Sequence, residues 1–228
     1  MSFTCTIQTA VNTNGARPVA GSQSETGSTI TEIDQNYAAG TIRSVLALVF
    51  ASSALQLVEL MASQPLTIEV NGTDEVQQLA MTGSPTGGTF TMTFDGQTTA
   101  GIAYNATAAI IQAALESLSN IAAGDVACTG GPLPGSAVSI AFRSNLGLQD
   151  VATITTTDSL SGGTTPATAI TTPTPGVAPT ETIQLAAGMP LAWGVSASYF
   201  ASPLPTDVAK VSISCATASR LQGKVLTN

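Results

Sequence analysis

Two short stretches decide the fold: PLTIEVNG at residues 65–72 and ETIQL at residues 181–185. Each alternates apolar and polar side chains, as a half-buried β-strand does. Asn-Gly next to such strands is a strong signal for a tight hairpin turn, yet residues 73–180 separate Gly72 from Glu181. The pattern predicts a β-hairpin whose tip carries an inserted domain, because hairpin tips are exposed and tolerate insertion.

The predicted boundaries follow from this hairpin. The host domain is residues 1–73 plus 181–228, and the inserted domain is residues 74–180. The end of the insertion, TTPTPGVAPT at residues 171–180, predicts a Pro/Thr-rich exit linker, because proline removes hydrogen-bond donors and favours extended chain. A chain of 228 residues can bury enough surface to need no disulfide or metal.

The host domain is predicted to be nearly all β. Its expected strands are Phe3–Gln8, Ser28–Asp34, Arg43–Phe50, Ala54–Leu60, Pro65–Val70, Glu181–Leu185, Leu191–Gly194, Val208–Ser214 and Arg220–Leu226. Turn signals such as Asn14-Gly15 and Ala39-Gly40 separate them. Seven to nine short strands of this kind are typical of an antiparallel β-sandwich or jelly roll.

The inserted domain is predicted to be a small α+β unit of order β-β-β-α-β-β. Its expected strands are Val76–Met81, Thr89–Phe94, Gln97–Tyr104, Val126–Thr129 and Val138–Phe142, with Thr153–Thr157 as a further candidate. Asp95-Gly96 predicts a tight turn. Asn105 is the expected cap of a helix over residues 106–118. The expected buried helix face is Ile110, Ile111, Ala114, Leu115 and Leu118.

The composition favours an uncharged β-protein. Only 9% of the residues are charged, against about 25% in ordinary domains, and a hydrophobic content of 43% argues against disorder. The net charge is −8, and the six basic residues form no run. Phosphate binding needs a clustered positive patch, so we expect no nucleic-acid partner, and acidic membranes are disfavoured for the same reason.

No catalytic constellation is visible. The chain has no histidine, which removes the commonest general base, the usual triads and most zinc sites. Glu32 and Asp34 lie two apart, so on a strand they share one side, where a solvated face is expected rather than a glycosidase pair. Asp95-Gly96 lacks the following ligands of a calcium loop. We therefore predict no enzyme and no catalytic, cofactor-binding or metal site.

Several other motifs receive structural interpretations. Asn71-Gly72-Thr73 and Asn105-Ala106-Thr107 match glycosylation acceptors. A hairpin turn at Asn71-Gly72 and a helix cap at Asn105 explain them better. The stretch GGPLPG at residues 130–135 predicts a loop, because its prolines lack the N–H groups of a phosphate cradle. Trp193, with Tyr199 and Phe200, is expected in the core or at a subunit interface, with a sugar-binding platform as the alternative.

Cys5, Cys128 and Cys215 are expected to be small buried hydrophobes, with a Cys5–Cys215 bridge as a less favoured alternative. No signal peptide is expected at the beginning of the chain. The apolar stretch Val45–Ala62 imitates a membrane helix, but it contains polar residues including Glu59. Two buried strands joined by a turn at residues 51–53 explain it better than a spanning helix.

The residues of the insertion carry a family resemblance. Residues 87–151 contain TFDGQTT (93–99), IAYNATA (102–108) and LGLQDV (146–151), in this order. This series resembles a repeat module found in phage structural proteins and in large bacterial surface proteins. The lead-in GTDEVQ at residues 72–77 is similar to the usual start of that module.

The host resembles, more weakly, small phage β-sandwich proteins with a D-T-I-x-L-x-x-G-x-P-L-x-W pattern. Here the pattern spans Glu181 to Trp193, and Glu181 replaces the aspartate. The resemblance implies a virion component made in the cytoplasm of the host bacterium, and it supplies no catalytic residues.

The function expected from these observations is a capsid decoration or cement protein that displays its inserted domain outward. Its expected partners are copies of itself and the major capsid protein, and Ser2–Gln8 and Arg220–Asn228 are candidate strands for extending a neighbour's sheet. A tail tube or baseplate subunit is the alternative, with the tail protein as partner. An adhesin or glycan-binding surface module is a further alternative.

Overall fold

The structure is a computed structural model that describes residues 3–11, 19–27, 29–194, 202–204 and 206–228. The chain divides into two compact units: unit 1 is Met1–Asn71 with Thr180–Asn228, and unit 2 is Gly72–Pro179. Strands hold 52% of the residues and helices 8%, which confirms the mainly β class.

The strands are β1 (Phe3–Val11), β2 (Val19–Gly27), β3 (Thr29–Tyr37), β4 (Thr41–Leu46), β5 (Leu55–Ala62), β6 (Leu66–Val70), β7 (Val76–Thr82), β8 (Gly87–Phe94), β9 (Gln97–Thr98), β10 (Ile102–Ala103), β11 (Val126–Gly130), β12 (Val138–Phe142), β13 (Thr155–Ser161), β14 (Ala167–Thr174), β15 (Glu181–Leu185), β16 (Pro190–Gly194), β17 (Val211–Cys215) and β18 (Ser219–Thr227); the helix α1 is Ala108–Glu116.

Unit 1 contains two four-stranded antiparallel sheets that share one hydrophobic core. The strand orders are β15-β6-β17-β4 in the first sheet and β16-β5-β18-β3 in the second. Alternating residues of both sheets enter the core, as the burial of Leu66, Ile68 and Val70 along β6 illustrates. Two sheets that cover each other's apolar face form a β-sandwich, as predicted.

The predicted hairpin pairing across the insertion is confirmed. Strand β15 pairs with β6 in antiparallel register, and Glu181 lies opposite Val70. Asn71 follows Val70 with a φ of 62°, a left-handed conformation that asparagine adopts more readily than most residues. Its side-chain oxygen accepts hydrogen bonds from the backbone N–H groups of Ala209 (2.8 Å) and Lys210 (3.3 Å).

Strands β1 and β2 form a separate two-stranded sheet in unit 1. Strand β2 lies against β5 and β18. These two strands carry Leu57 and Leu226, which are buried although they lie outside the main core and pack with Ile30 instead. The backbone of β2 therefore runs beside the two strands that carry this small cluster.

Unit 2 also contains two four-stranded sheets and one core. The first sheet has the path β10-β8-β13, with β9 pairing to β8, and the second has the order β11-β12-β7-β14. Phe90 and Met92 of β8 and Ile140 of β12 are fully buried in this core, and α1 adds Ile111 and Leu115. Asp95 and Gly96 form the predicted tight turn between β8 and β9, both with positive φ.

The helix begins later than predicted. The capping residue is Thr107, whose hydroxyl accepts from the backbone N–H of Ile110, so the prediction of Asn105 as the cap was wrong. The helix is also shorter than residues 106–118, and Ile110 is 51% exposed. Ile110 therefore does not belong to the buried face, which is formed by Ile111, Leu115 and, just beyond the helix, Leu118.

Three strand predictions in or next to unit 2 need correction. The expected strand Gln97–Tyr104 is broken into β9 and β10. The expected strand Thr153–Thr157 is β13, which begins two residues later, at Thr155. Strand β14 was not predicted. Strand β14 takes up Thr171–Thr174 of the predicted linker; its Pro173 is tolerated because β14 is an edge strand.

Three predictions in unit 1 also fail. Strand β2 was missed. Strand β4 ends at Leu46 and is not buried, since Val45 is 65% exposed, so the stretch Val45–Ala62 is not two buried strands. Strand β18 is an interior strand between β5 and β3, so the end of the chain cannot extend a neighbour's sheet.

Candidate interaction surface

The start of the resemblance motif is a hydrogen-bonded clamp in unit 2. Glu75 is 1% exposed and Gln77 is fully buried. One carboxylate oxygen of Glu75 accepts from the Gln77 amide at 2.7 Å, and the other accepts from the backbone N–H of Val151 at 2.9 Å. Gln77 also donates to the carbonyl of Ala152 and accepts from the N–H of Ile154. The clamp holds residues 151–154, which lie outside the described strands and lead into β13.

Asp74 extends this clamp to the LGLQDV stretch. Its carboxylate accepts from the backbone N–H of Leu148 at 3.0 Å. A Cβ on Gly147 would lie 2.6 Å from the same carboxylate, so a side chain at position 147 would displace Asp74. The beginning and the end of the resemblance motif therefore meet in space, and their residues serve packing and hydrogen bonding.

The middle of the motif has structural contacts as well. The Phe94 ring stacks on Phe142 with centroids 5.3 Å apart. The buried hydroxyl of Thr99 accepts from the backbone N–H of Met92 at 3.0 Å. Asp125 is 3% exposed and accepts from the backbone and the side-chain amide of Asn145. These groups are satisfied inside unit 2 and are not presented to a ligand.

The GGPLPG stretch at residues 130–135 includes the end of β11 and then a loop, as predicted. Leu133 is buried, and its N–H donates to the carbonyl of Ala106, just before α1. The loop therefore covers the start of the helix.

The carboxylates considered for catalysis lie on the outward face of the second sheet of unit 1. Asp34 accepts two hydrogen bonds from the Arg220 guanidinium, both at 2.7 Å. This hydrogen bonding lowers the pKa of Asp34 below its usual value. Glu32 is exposed and lies opposite Lys224, which is 3.8 Å from Glu59 on the next strand. Asp34 is held ionised in an ion pair and is a poor proton donor.

Cys215 does not form the alternative bridge to Cys5, whose side chain lies outside the described part of the structure. Cys215 is a buried free thiol whose Sγ donates to the carbonyl of Ala38 at 3.4 Å. Cys128 is a half-buried free thiol, and burial, with the nearby Glu116 charge, raises its pKa to about 12. Trp193 packs half-buried against the core of unit 1, while Tyr199 and Phe200 lie outside the described residues.

The side of the sandwich at β3 and β4 is the best candidate for protein contact. These two strands are edges of opposite sheets. Between them lies a hollow of about 330 Å³ lined by residues that include Gln35, Asn36, Ser44 and Val45. Val49, just beyond β4, is 74% exposed. Glu32 also lines the hollow, and the exposed valines beside it suit contact with another protein.

The four sandwich edges differ in how they resist strand pairing. Strand β3 carries Glu32 and Asp34, and β16 starts with Pro190. Strand β4 has a register shift opposite β17 next to Arg43, whose φ is 50°. Strand β15 is short and starts with Glu181. Charges, proline, bulges and short length are the usual protections of an edge.

Within the residues that the structure describes, no group of three or more His, Cys, Asp or Glu side chains could hold a metal ion. In the same residues, no helix has the length and hydrophobicity that crossing a membrane requires. No protein-family model matches the chain, and no curated protein matches it.

Proposed function

We propose that the chain is a non-enzymatic structural protein of a bacteriophage particle, and that it decorates the capsid. Unit 1 attaches to the head lattice, and unit 2 is displayed outward. The observation that carries this proposal is the clamp of Glu75 and Gln77 on residues 151–154. Because the motif residues hold unit 2 together, they support the interpretation of unit 2 as a structural module.

The distribution of charge supports this division of roles. Unit 2 has seven acidic residues and one basic residue, which gives a net charge of −6. Unit 1 has seven acidic and five basic residues, which gives −2. A surface that contacts protein is depleted in charge, while a solvent-facing one keeps it. Many weak contacts to a symmetric lattice give firm attachment through avidity.

A binding assay with particles that lack the protein tests this proposal. The full chain is compared with a variant in which residues 73–180 are deleted, so that Asn71-Gly72 joins Val70 directly to Glu181, its partner in the sheet. Both proteins are mixed with heads and, separately, with tails, and the bound fraction is measured by sedimentation. We expect equal occupancy of both proteins on heads.

Point substitutions refine this assay. Val45→Glu and Val49→Glu place a charge on the β4 side of unit 1, and Val177→Glu is the matched control, since Val177 is an exposed valine of unit 2. Occupancy should fall for the first two variants only. Release of the deletion variant from heads would reverse the roles of the two units. Binding to tails alone would make the protein a tail subunit instead.

A further inference from the structure

Among the strands that the structure describes, β1 is an edge strand. It runs for nine residues in an unbroken antiparallel register with β2, and β2 is its one partner among the described strands. Its sequence, FTCTIQTAV, contains no charge, no proline and no glycine. It therefore lacks every protection found on the four sandwich edges, and an unprotected edge invites pairing with another strand.

We propose that β1 of one copy pairs with β1 of a second copy across a two-fold axis at Ile7. Antiparallel pairing about this residue brings all nine residues of each strand into register, with Phe3 opposite Val11 and Cys5 opposite Thr9. The two β1–β2 sheets then form one continuous four-stranded sheet. A two-stranded sheet is marginal in water, whereas added strands stabilise it.

The absence of charge in β1 suits a second copy as the occupant. A two-fold interface places the same surface on both partners, so any charge near the axis would meet a like charge. Pairing β3 with itself about Ile33 would oppose Glu32 to Asp34 twice. Strand β1 meets no such repulsion. This inference rests on the proposed function, which requires copies of the protein to associate. Pairing through β1 is tested in solution, whereas the proposed function is tested by binding to particles. The two proposals can therefore fail separately.

Cysteine cross-linking tests the register. Thr9→Cys places a thiol opposite Cys5 of the second copy, where the Cα separation of about 4.5–5.5 Å suits a disulfide. Ala10→Cys is the matched control, because position 10 lies on the opposite side of the strand. Each full-length protein is oxidised with diamide and run on a non-reducing gel. A covalent dimer from Thr9→Cys, absent from the parent and the control, is expected. No dimer, or equal dimer from the control, would overturn the proposal.

Charge pairs provide a second test that needs no disulfide. The two-fold register places Thr6 opposite Gln8. Thr6→Asp with Gln8→Asp should raise the dissociation constant on the order of tenfold, whereas Thr6→Asp with Gln8→Lys should not. Light scattering over a concentration series gives the mass, and circular dichroism verifies folding. A monomeric parent, or equal weakening by both double variants, would contradict pairing at this register.

Discussion

The carboxylate of Glu75 accepts a hydrogen bond from the backbone N–H of Val151 at 2.9 Å, across 76 positions of sequence. Gln77 completes the arrangement, since its amide bonds to Glu75, Ala152 and Ile154. A buried polar group is tolerated only when its hydrogen bonds are made. The two side chains therefore fix the path of the segment that leads into β13.

Gln77→Leu should destabilise unit 2 by about 2–4 kcal/mol, because it leaves the Ile154 N–H without its acceptor and removes the Gln77 amide from Glu75. Hydrogen exchange of peptides covering residues 148–155, together with thermal unfolding, measures the effect. Gln78→Leu is the control, since Gln78 is the exposed neighbour in the same strand, and it should change stability by less than about 0.5 kcal/mol. Equal effects of the two variants would refute the clamp.

Residues 72–179 expressed alone should unfold in one cooperative thermal transition, because they contain a complete hydrophobic core. A fragment of residues 72–152 is the control. It lacks β13 and β14, the edge partners of β8 and β7, and should show no such transition. If residues 72–179 showed no cooperative thermal transition, unit 2 would depend on unit 1 for its folding.

Asn71→Ala should cost unit 1 about 2–3 kcal/mol. The substitution removes the acceptor for the N–H groups of Ala209 and Lys210 and places alanine at a positive φ. Asn71→Gly removes the same hydrogen bonds but accepts the backbone conformation. Urea unfolding monitored by Trp193 fluorescence should therefore find the glycine variant more stable than the alanine variant by about 1 kcal/mol. The reverse order would contradict the conformational assignment.

Cys128 should resist alkylation in the native protein. Burial and the Glu116 charge raise its pKa to about 12, so the thiolate is roughly 0.03% populated at pH 8.5. Iodoacetamide at that pH should label Cys128 only after unfolding in guanidinium, as peptide mapping would show. The raised pKa also means that this thiol contributes stability below about pH 9, which is lost as the pH rises from about 9 to 12. Rapid native labelling would contradict the burial of this thiol.

Local patterns predicted much of the sandwich. Alternation in Leu66–Val70 and Glu181–Leu185, together with the Asn-Gly pair, identified two strands that pair although an insertion separates them. Strand β2 was missed because VAGSQSETG has few β-branched or aromatic residues. Strand β14 was missed because Pro173 indicates a linker unless the strand is known to be an edge.

Local sequence patterns could not predict the clamp, because its partners lie more than 70 residues apart. One signal was present in the sequence. Gln77 stands two residues before Leu79 on a strand, so alternation places a polar amide on the same buried side as the leucine. An inward polar residue requires a partner, which could have pointed to a hydrogen-bonded site. Only the three-dimensional structure identifies the residues that form hydrogen bonds with Gln77.

The position of the protein in a reconstruction of the intact particle tests the central claim most directly. The account predicts density for the sandwich of unit 1 on the outer surface of the head lattice, with unit 2 projecting from it. Density for the protein in the tail, contact with the lattice through unit 2, or absence of the protein from purified particles would contradict the account.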